Sequence, residues 1–432
     1  MRGKRKQTRR VFVWLIVLHV ACAGGSAWAA QGRHWVGAWS AAMMRAPVPA
    51  SALLNEQQNV APLSGQTVRQ MVNVGVDGQR IRIRLSNAFG EQPLVLSASS
   101  VGLRTAAGGS DVAASSLHAL RFGGTGTVTI PPGSYRDSDP VALPVRAGDT
   151  LGISLYGAGR IAPSTWHQDA LRTNFVSIKG NYTASAAMAV ARTIGDNYWL
   201  SGVDVETSQR TAVIVALGDS ITNGFQSSID RDARYPDVLA RRLRQADTDT
   251  CRHAVLNAGI DGNQVRAFGG TYGLGQSMLD RLDRDVLSRQ GARFLLLLGG
   301  INDIGVPTMV ARKSGRTIDA AATAAHVIDG LGRIIASAHA AGLRVYGATL
   351  TPFEGTRDAY SVEGEQAREK INDWIRHRGR YDAVIDFDLA TRDPSHRQRL
   401  QPGLDSGDHI HPNDRGYQAM AAAIPLRLLA CH

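Results

Sequence analysis

Beyond its first thirty residues, this 432-residue sequence has no run of basic side chains, no internal repeat, no low-complexity tract and no linker rich in glycine, serine or proline. Its formal net charge of +11 would otherwise suggest a polyanion as partner. Six of those charges, however, are Arg2, Lys4, Arg5, Lys6, Arg9 and Arg10, in a stretch with no acidic residue. The +5 that remains is spread thinly, which argues against nucleic acid as a ligand. No Gly-x-x-x-x-Gly-Lys-Ser/Thr occurs, and Gly270-Thr271-Tyr272-Gly273-Leu274-Gly275 fits no phosphate cradle. No cofactor is called for. Cysteine is scarce, with only Cys22, Cys251 and Cys431.

What is present begins with an N-terminus in three parts. A basic start is followed by an apolar stretch, 11–23, and by Ala27-Trp28-Ala29 as a small-x-small cleavage site. Residues 1–30 read as a signal peptide, and Thr8-Arg9-Arg10-Val11-Phe12 resembles its twin-arginine variant, so a periplasmic or secreted protein is expected. The apolar stretch is short for a membrane span, and no transmembrane segment is expected in the mature protein. Cys22 is a poor lipidation site, because His19 stands where leucine is wanted. Cleavage leaves an even pair, Cys251 and Cys431; in an exported chain that suggests a disulfide, with two buried thiols as the alternative.

Two kinds of patterning follow. From about 64 to 206 the chain shows short strand-like runs, of which Arg80-Ile81-Arg82-Ile83-Arg84-Leu85 alternates strictly, separated by turns such as Pro131-Pro132-Gly133. No convincing helix interrupts them. Residues 31–210 are therefore expected to form a β-rich domain, an all-β sandwich or jelly roll. From Thr211 to the end, 211–432, apolar strands beginning at Thr211, His253, Arg293, Arg344 and Ala383 alternate with helical segments near 235–246, 320–341 and 363–376. Strands apolar on both faces and separated by helices describe an α/β domain: a parallel sheet in a three-layer α/β/α, flavodoxin-like arrangement.

Ligands of such sheets bind beyond the carboxyl ends of the strands. There the sequence places Gly218-Asp219-Ser220, then Asn257 to Asn263, then Gly299-Gly300-Ile301-Asn302-Asp303, and late in the chain Asp408-His409-Ile410-His411. Ser220 alone would be read as a helix cap. Beside a histidine, an aspartate and hydrogen-bond donors it becomes a candidate nucleophile. His411 is the candidate base, and Asp408, three residues earlier, can reach its far ring nitrogen; His409 competes but lacks that spacing. Asp408, His409 and His411 could alternatively hold a metal, but no further His or Cys cluster completes the set. Asp219 and Asp303 read as structural, holding their loops through backbone hydrogen bonds. The serine lacks a Gly-x-Ser-x-Gly elbow, which argues against the α/β-hydrolase fold.

Gly-Asp-Ser, Asn-x-Gly-x-x-Gly, Gly-x-Asn-Asp and Asp-x-x-His, in that order, resemble the four sequence blocks of the SGNH (GDSL) hydrolases. The resemblance runs from about 212 to the C-terminus and implies the three-layer fold and ester hydrolysis. It implies Ser220 as nucleophile, His411 as base and Asp408 as its orienting partner. It implies an oxyanion hole made by the backbone N–H of Ser220, the backbone N–H of Gly262 and the side-chain amide of Asn302. Leu282-Asp283-Arg284-Asp285-Val286 and Gly407 to Asn413 look like a secreted bacterial subgroup with an extra N-terminal β domain.

The expectation is thus an exported serine esterase whose partner is an acyl-ester substrate, with O-acetylated polysaccharide foremost and lipase or arylesterase activity as alternatives. A polar, glycine-rich rim, with Phe225, Phe268, Tyr272 and Phe353 as isolated aromatics, favours short acyl groups. A different class, a carbohydrate- or surface-binding protein on a degenerate hydrolase scaffold, should have lost at least one of Ser220, Asn302, Asp408 or His411. All four are present.

Overall fold

The computed structural model describes residues 32–46, 60–105, 109–246, 251–266 and 275–431; the signal-peptide reading of 1–30 lies outside them. The first half supplies ten strands to two antiparallel sheets: β1 (His34–Ser40), β2 (Gln66–Asn73), β3 (Arg80–Ser86), β4 (Ala98–Leu103), β5 (His118–Ala119), β6 (Tyr135–Asp137), β7 (Thr150–Tyr156), β8 (Asn174–Lys179), β9 (Val190–Ile194) and β10 (Leu200–Thr207). Their orders are β1-β10-β3-β6 and β9-β8-β2-β7-β4-β5. The strictly alternating β3 shows why this region folds as sheet. Ile81, Ile83 and Leu85 are fully buried, while the arginines between them face outward and pair across strands. Arg80 meets Glu206, Arg82 meets Asp204, and Arg84 meets Asp137. The guanidinium of Arg82 also lies over the Trp35 ring at 4.7 Å. Sheet structure begins earlier than the alternation suggests, because β1 pairs with β10 from His34 onward.

The second half is the expected α/β unit. Its strands are β11 (Thr211–Gly218), β12 (Arg252–Gly259), β13 (Ala292–Leu297), β14 (Arg344–Ala348) and β15 (Ala383–Ile385), all parallel, in the order β12-β11-β13-β14-β15. β11 lies second, buried on both faces, as its unbroken apolar run requires. Helices α1 (Tyr235–Gln245), α2 (Ile301–Lys313), α3 (Ala320–Ala340), α4 (Val362–His377) and α5 (Asp414–Ala422) form two packed groups, α1 with α5 and α2 with α3 and α4, giving the three-layer α/β/α fold. α2 departs from expectation: Gly305 and Pro307 inside it break the helical signal, yet it runs for 13 residues.

Register is what matters for the site. Gly218 stands opposite Gly259, and Leu217 opposite Leu297, so β11, β12 and β13 end level at one edge of the sheet. The antiparallel and parallel regions meet between Thr207 and Thr211, but one hydrophobic core runs through both, from Val36 and Val205 to Val213 and Leu256. Gly37 N donates to Gln290 O across the junction at 2.9 Å.

Candidate active site

Ser220 opens a four-residue helical turn, Ser220–Asn223, directly beyond β11. Asp219 caps it, its Oδ1 accepting from Ile221 N at 3.0 Å, and Gly224 ends it with φ +97°. The capping role that a lone serine would suggest thus belongs to its neighbour. The turn sits tight against the end of β12: a Cβ on Gly259 would lie 2.2 Å from Asn223 N, so only glycine allows this approach.

His411 comes from the segment before α5. Its Nε2 lies 2.8 Å from Ser220 Oγ, and its Nδ1 lies 2.6 Å from Asp408 Oδ2. The backbone N–H groups of His411 and Ile410 donate to Asp408 Oδ1 at 2.8 and 3.1 Å. Burial alone would raise the Asp408 pKa, but these bonds and the ring of His411 outweigh it and hold the carboxyl well below the usual carboxylate range. An ionised Asp408 keeps the ring proton on Nδ1 and turns the Nε2 lone pair toward Ser220. Phe225 packs edge-on against the imidazole at 4.8 Å between centroids, and its carbonyl is held by Tyr417 OH at 2.7 Å.

His409 goes elsewhere. With φ +68° it turns its ring to Asp405, Nδ1 to Oδ2 at 2.7 Å, and lies half exposed beside Gly355. The structure therefore does not bring His409 and His411 together on one ligand position. The metal-ligand grouping found among the described residues is instead Cys251, His253 and Cys431. Its two sulfurs are joined as a disulfide, with a Cα–Cα distance of 6.1 Å.

Gly262 lies in the loop after β12 with φ +70°, a conformation that favours glycine. Asn302 lies in the first turn of α2, beyond β13, and its amide donates one N–H to Asn263 O at 3.1 Å. The structure thus ties the side chain of Asn302 to the residue next to Gly262. Asp303 braces the same loop, accepting from Val265 N at 2.9 Å and Arg266 N at 3.2 Å. Burial pushes Asp303 up to about 7, against those two donors. Asp219, also fully buried, is pushed up by burial to about 6, and its Oδ2 has no hydrogen-bond partner among the described residues.

Arg281 is the site residue that motif reading missed. It is fully buried and donates to Gly218 O, Ala258 O and Asn263 Oδ1 at 2.8–3.0 Å, tying the ends of β11 and β12 to the loop after Gly262. Asp285 neutralises it and also takes Arg284, which donates in turn to Met43 O in the β-rich half. Burial lowers the Arg281 pKa to about 10. Its signal lay beside the Leu282-Asp283-Arg284-Asp285 phrase, of whose charges the fold buries Asp285 and leaves Asp283 exposed. Phe353, expected on the rim, is wholly buried against Tyr360. Phe268 and Tyr272 lie outside the described residues.

Ser220, Asn302 and His411 thus lie together beyond the carboxyl edge of the parallel sheet. Residues 216–419 match the sequence model of the GDSL-like Lipase/Acylhydrolase family, and this match supports an SGNH hydrolase in that region of the chain. Solved structures similar to it include the native aryl esterase of M. smegmatis, at 14% identity and TM-score 0.39, covering 50% of this chain and 98% of that one. The lipase Lip_vut3 from a goat rumen metagenome is similar at 16% identity and TM-score 0.38, covering 50% and 96%. A carbohydrate acetylesterase family member from Sinorhizobium meliloti is similar at 13% identity and TM-score 0.38, covering 50% and 96%. No curated protein matches the chain.

Proposed function

We propose that the protein is an exported serine esterase that cleaves short acyl groups, foremost O-acetyl, from a hydrophilic alcohol such as a polysaccharide. The observation that carries the catalytic part is the unbroken hydrogen-bond chain Ser220 Oγ–His411–Asp408. In this reading His411 Nε2 takes the Ser220 proton as Oγ attacks the ester carbonyl, and Asp408 steadies the imidazolium that forms. The tetrahedral oxyanion is met by the backbone N–H groups of Ser220 and Gly262 and by the second N–H of the Asn302 amide. Collapse expels the alcohol, which takes the proton from His411. Water, deprotonated by the same ring, then releases the acid and restores Ser220.

The substrate part rests on polarity. Next to His409, Glu354 pairs with His396 and Arg399, and Asp405 holds His409, so this flank of the site is charged. Among the described residues, the aromatic that packs edge-on against the His411 ring is Phe225. Such a rim suits a small acyl group on a hydrated alcohol. Paired substitutions test the assignment of the base. Hydrolysis of an acetyl ester should fall by at least about 10³-fold in His411→Ala, as for deletions in a Ser-His-Asp triad, and stay within about 3-fold of wild type in His409→Ala. The reverse ranking would move the base to His409.

A further inference from the structure

The β-rich half reaches the catalytic edge through the loop after residues 165–167, and the contacts it makes there are specific. Asn223, the last residue of the nucleophile turn, is fully buried. Its Nδ2 donates to Asp169 O at 3.0 Å and to Asp261 Oδ1 at 2.8 Å, with Gln168 O a further acceptor at 3.5 Å. With oxygens on that side, the amide can turn only its Oδ1 toward His167, whose Nε2 lies 3.1 Å away. His167 is itself buried, and its Nδ1 stands 2.8 Å from Ala42 O. One amide thus joins three segments: the β-rich loop at His167–Asp169, the nucleophile turn, and Asp261, the residue immediately before Gly262.

Two further observations say that this junction is held deliberately. Asp169 and Leu171 both adopt left-handed backbone, φ +51° and +52°, which residues other than glycine take only when their surroundings hold them there. The same loop is bolted to the segment that follows the nucleophile turn. Thr173 N and Oγ1 donate to the two oxygens of Asp230 at 2.8 and 2.6 Å, Asp230 N donates back to Leu171 O at 3.0 Å, and Arg172 pairs with Asp232.

We propose that His167 of the β-rich half and Asp261 are positioning residues for ester hydrolysis: through Asn223 they fix the nucleophile turn against the Asp261–Gly262 turn, and so set the Gly262 N–H relative to Ser220. This deepens the esterase reading and rests on it. The β-rich half then completes the oxyanion hole without touching the substrate. A donor misplaced by an ångström is enough to cost about 10²-fold in rate, whereas ground-state binding of an acetyl ester, which owes little to that donor, should hardly change.

The test compares wild type, His167→Ala, Asp261→Ala, Asp261→Asn and Ser220→Ala, all as the mature full-length protein, with a water-soluble acetyl ester. Thermal midpoint and near-ultraviolet circular dichroism serve as checks of folding. Folded His167→Ala and Asp261→Ala should lose 10- to 100-fold in kcat with KM within 2-fold of wild type, and a fluorophosphonate should phosphonylate Ser220 correspondingly more slowly. Asp261→Asn can still accept from Asn223 and should recover kcat to within about 3-fold of wild type. If His167→Ala does not fold, His167→Phe, which fills the same space but offers no donor to Asn223, replaces it. Wild-type kcat in folded His167→Ala and Asp261→Ala overturns the proposal, as does a rise in KM at unchanged kcat. If wild type shows no activity beyond that of Ser220→Ala, it is the esterase reading itself that fails.

Discussion

Ser220 and His411 are 191 residues apart in the chain, yet Ser220 Oγ lies 2.8 Å from His411 Nε2. Neither side chain reaches out to make this contact. Ser220 is delivered by β11 and the capped turn beyond it, and His411 by Asp408, whose carboxylate binds the backbone and the ring of the same three-residue step. The Ser220–His411–Asp408 geometry is therefore fixed by the fold itself, as the proposed esterase mechanism requires.

The orienting role proposed for Asp408 has a sharp consequence. Asp408→Asn can offer Nδ2–H to the ring instead of accepting from it, which favours the tautomer with the proton on Nε2. Turnover of an acetyl ester should drop by about 10⁴-fold while the fold persists, as that change does in a Ser-His-Asp triad. A drop of less than about 10-fold would mean that Asp408 only holds the loop.

Buried carboxyls give a signed dependence of stability on pH. Asp219 is raised to about 6 in the folded protein, against about 3.9 when unfolded, so folding takes up a proton between those values. Its contribution is complete below about 4 and is lost as pH rises through 6, a ceiling of about 3 kcal/mol. Asp219→Asn can still cap Ile221 N and carries no charge. Relative to wild type it should be more stable at pH 8 than at pH 5, measured by urea unfolding at both. An unchanged difference would show that Asp219 does not titrate in the fold.

The disulfide between Cys251 and Cys431 staples the chain end to the start of β12 across 180 residues. Loop-closure entropy assigns such a link about 5 kcal/mol at most. Titration of the denatured, unreduced mature protein with a thiol reagent should find no free thiol, and reduction should lower the thermal midpoint. Two titratable thiols before reduction would remove the disulfide from this account.

For the substrate, specificity constants for acetyl and butyryl esters should exceed those for esters of ten or more carbons by at least about 10-fold, measured below micelle-forming concentrations. A maximum at long chains would require an apolar groove, and would replace the short-acyl reading while leaving the serine chemistry untouched.

Much of this was legible in the chain because it is local. β3 announces itself by alternation, β11 by an unbroken apolar run, and Asp408 and His411 by a three-residue spacing. What escaped is what depends on tertiary burial. Arg281 and Asp285 look like surface charges in sequence and become a buried pair beneath the loop after β12. Asn223 and His167, 56 residues apart, carry no motif, and their contact exists only because two halves of the chain share one core. α2 was hidden by Pro307, which a helix tolerates at the cost of one backbone bond.

The central claim, that Ser220 is a nucleophile armed by His411, is tested most directly by covalent capture. The mature protein is incubated with a fluorophosphonate and digested, and the modified peptide is mapped by mass spectrometry, in wild type and in folded His411→Ala. The account predicts one stoichiometric adduct on Ser220 in wild type and labelling slowed by at least about 10²-fold in the variant. No adduct, an adduct on another residue, or equal labelling of the two proteins would contradict it.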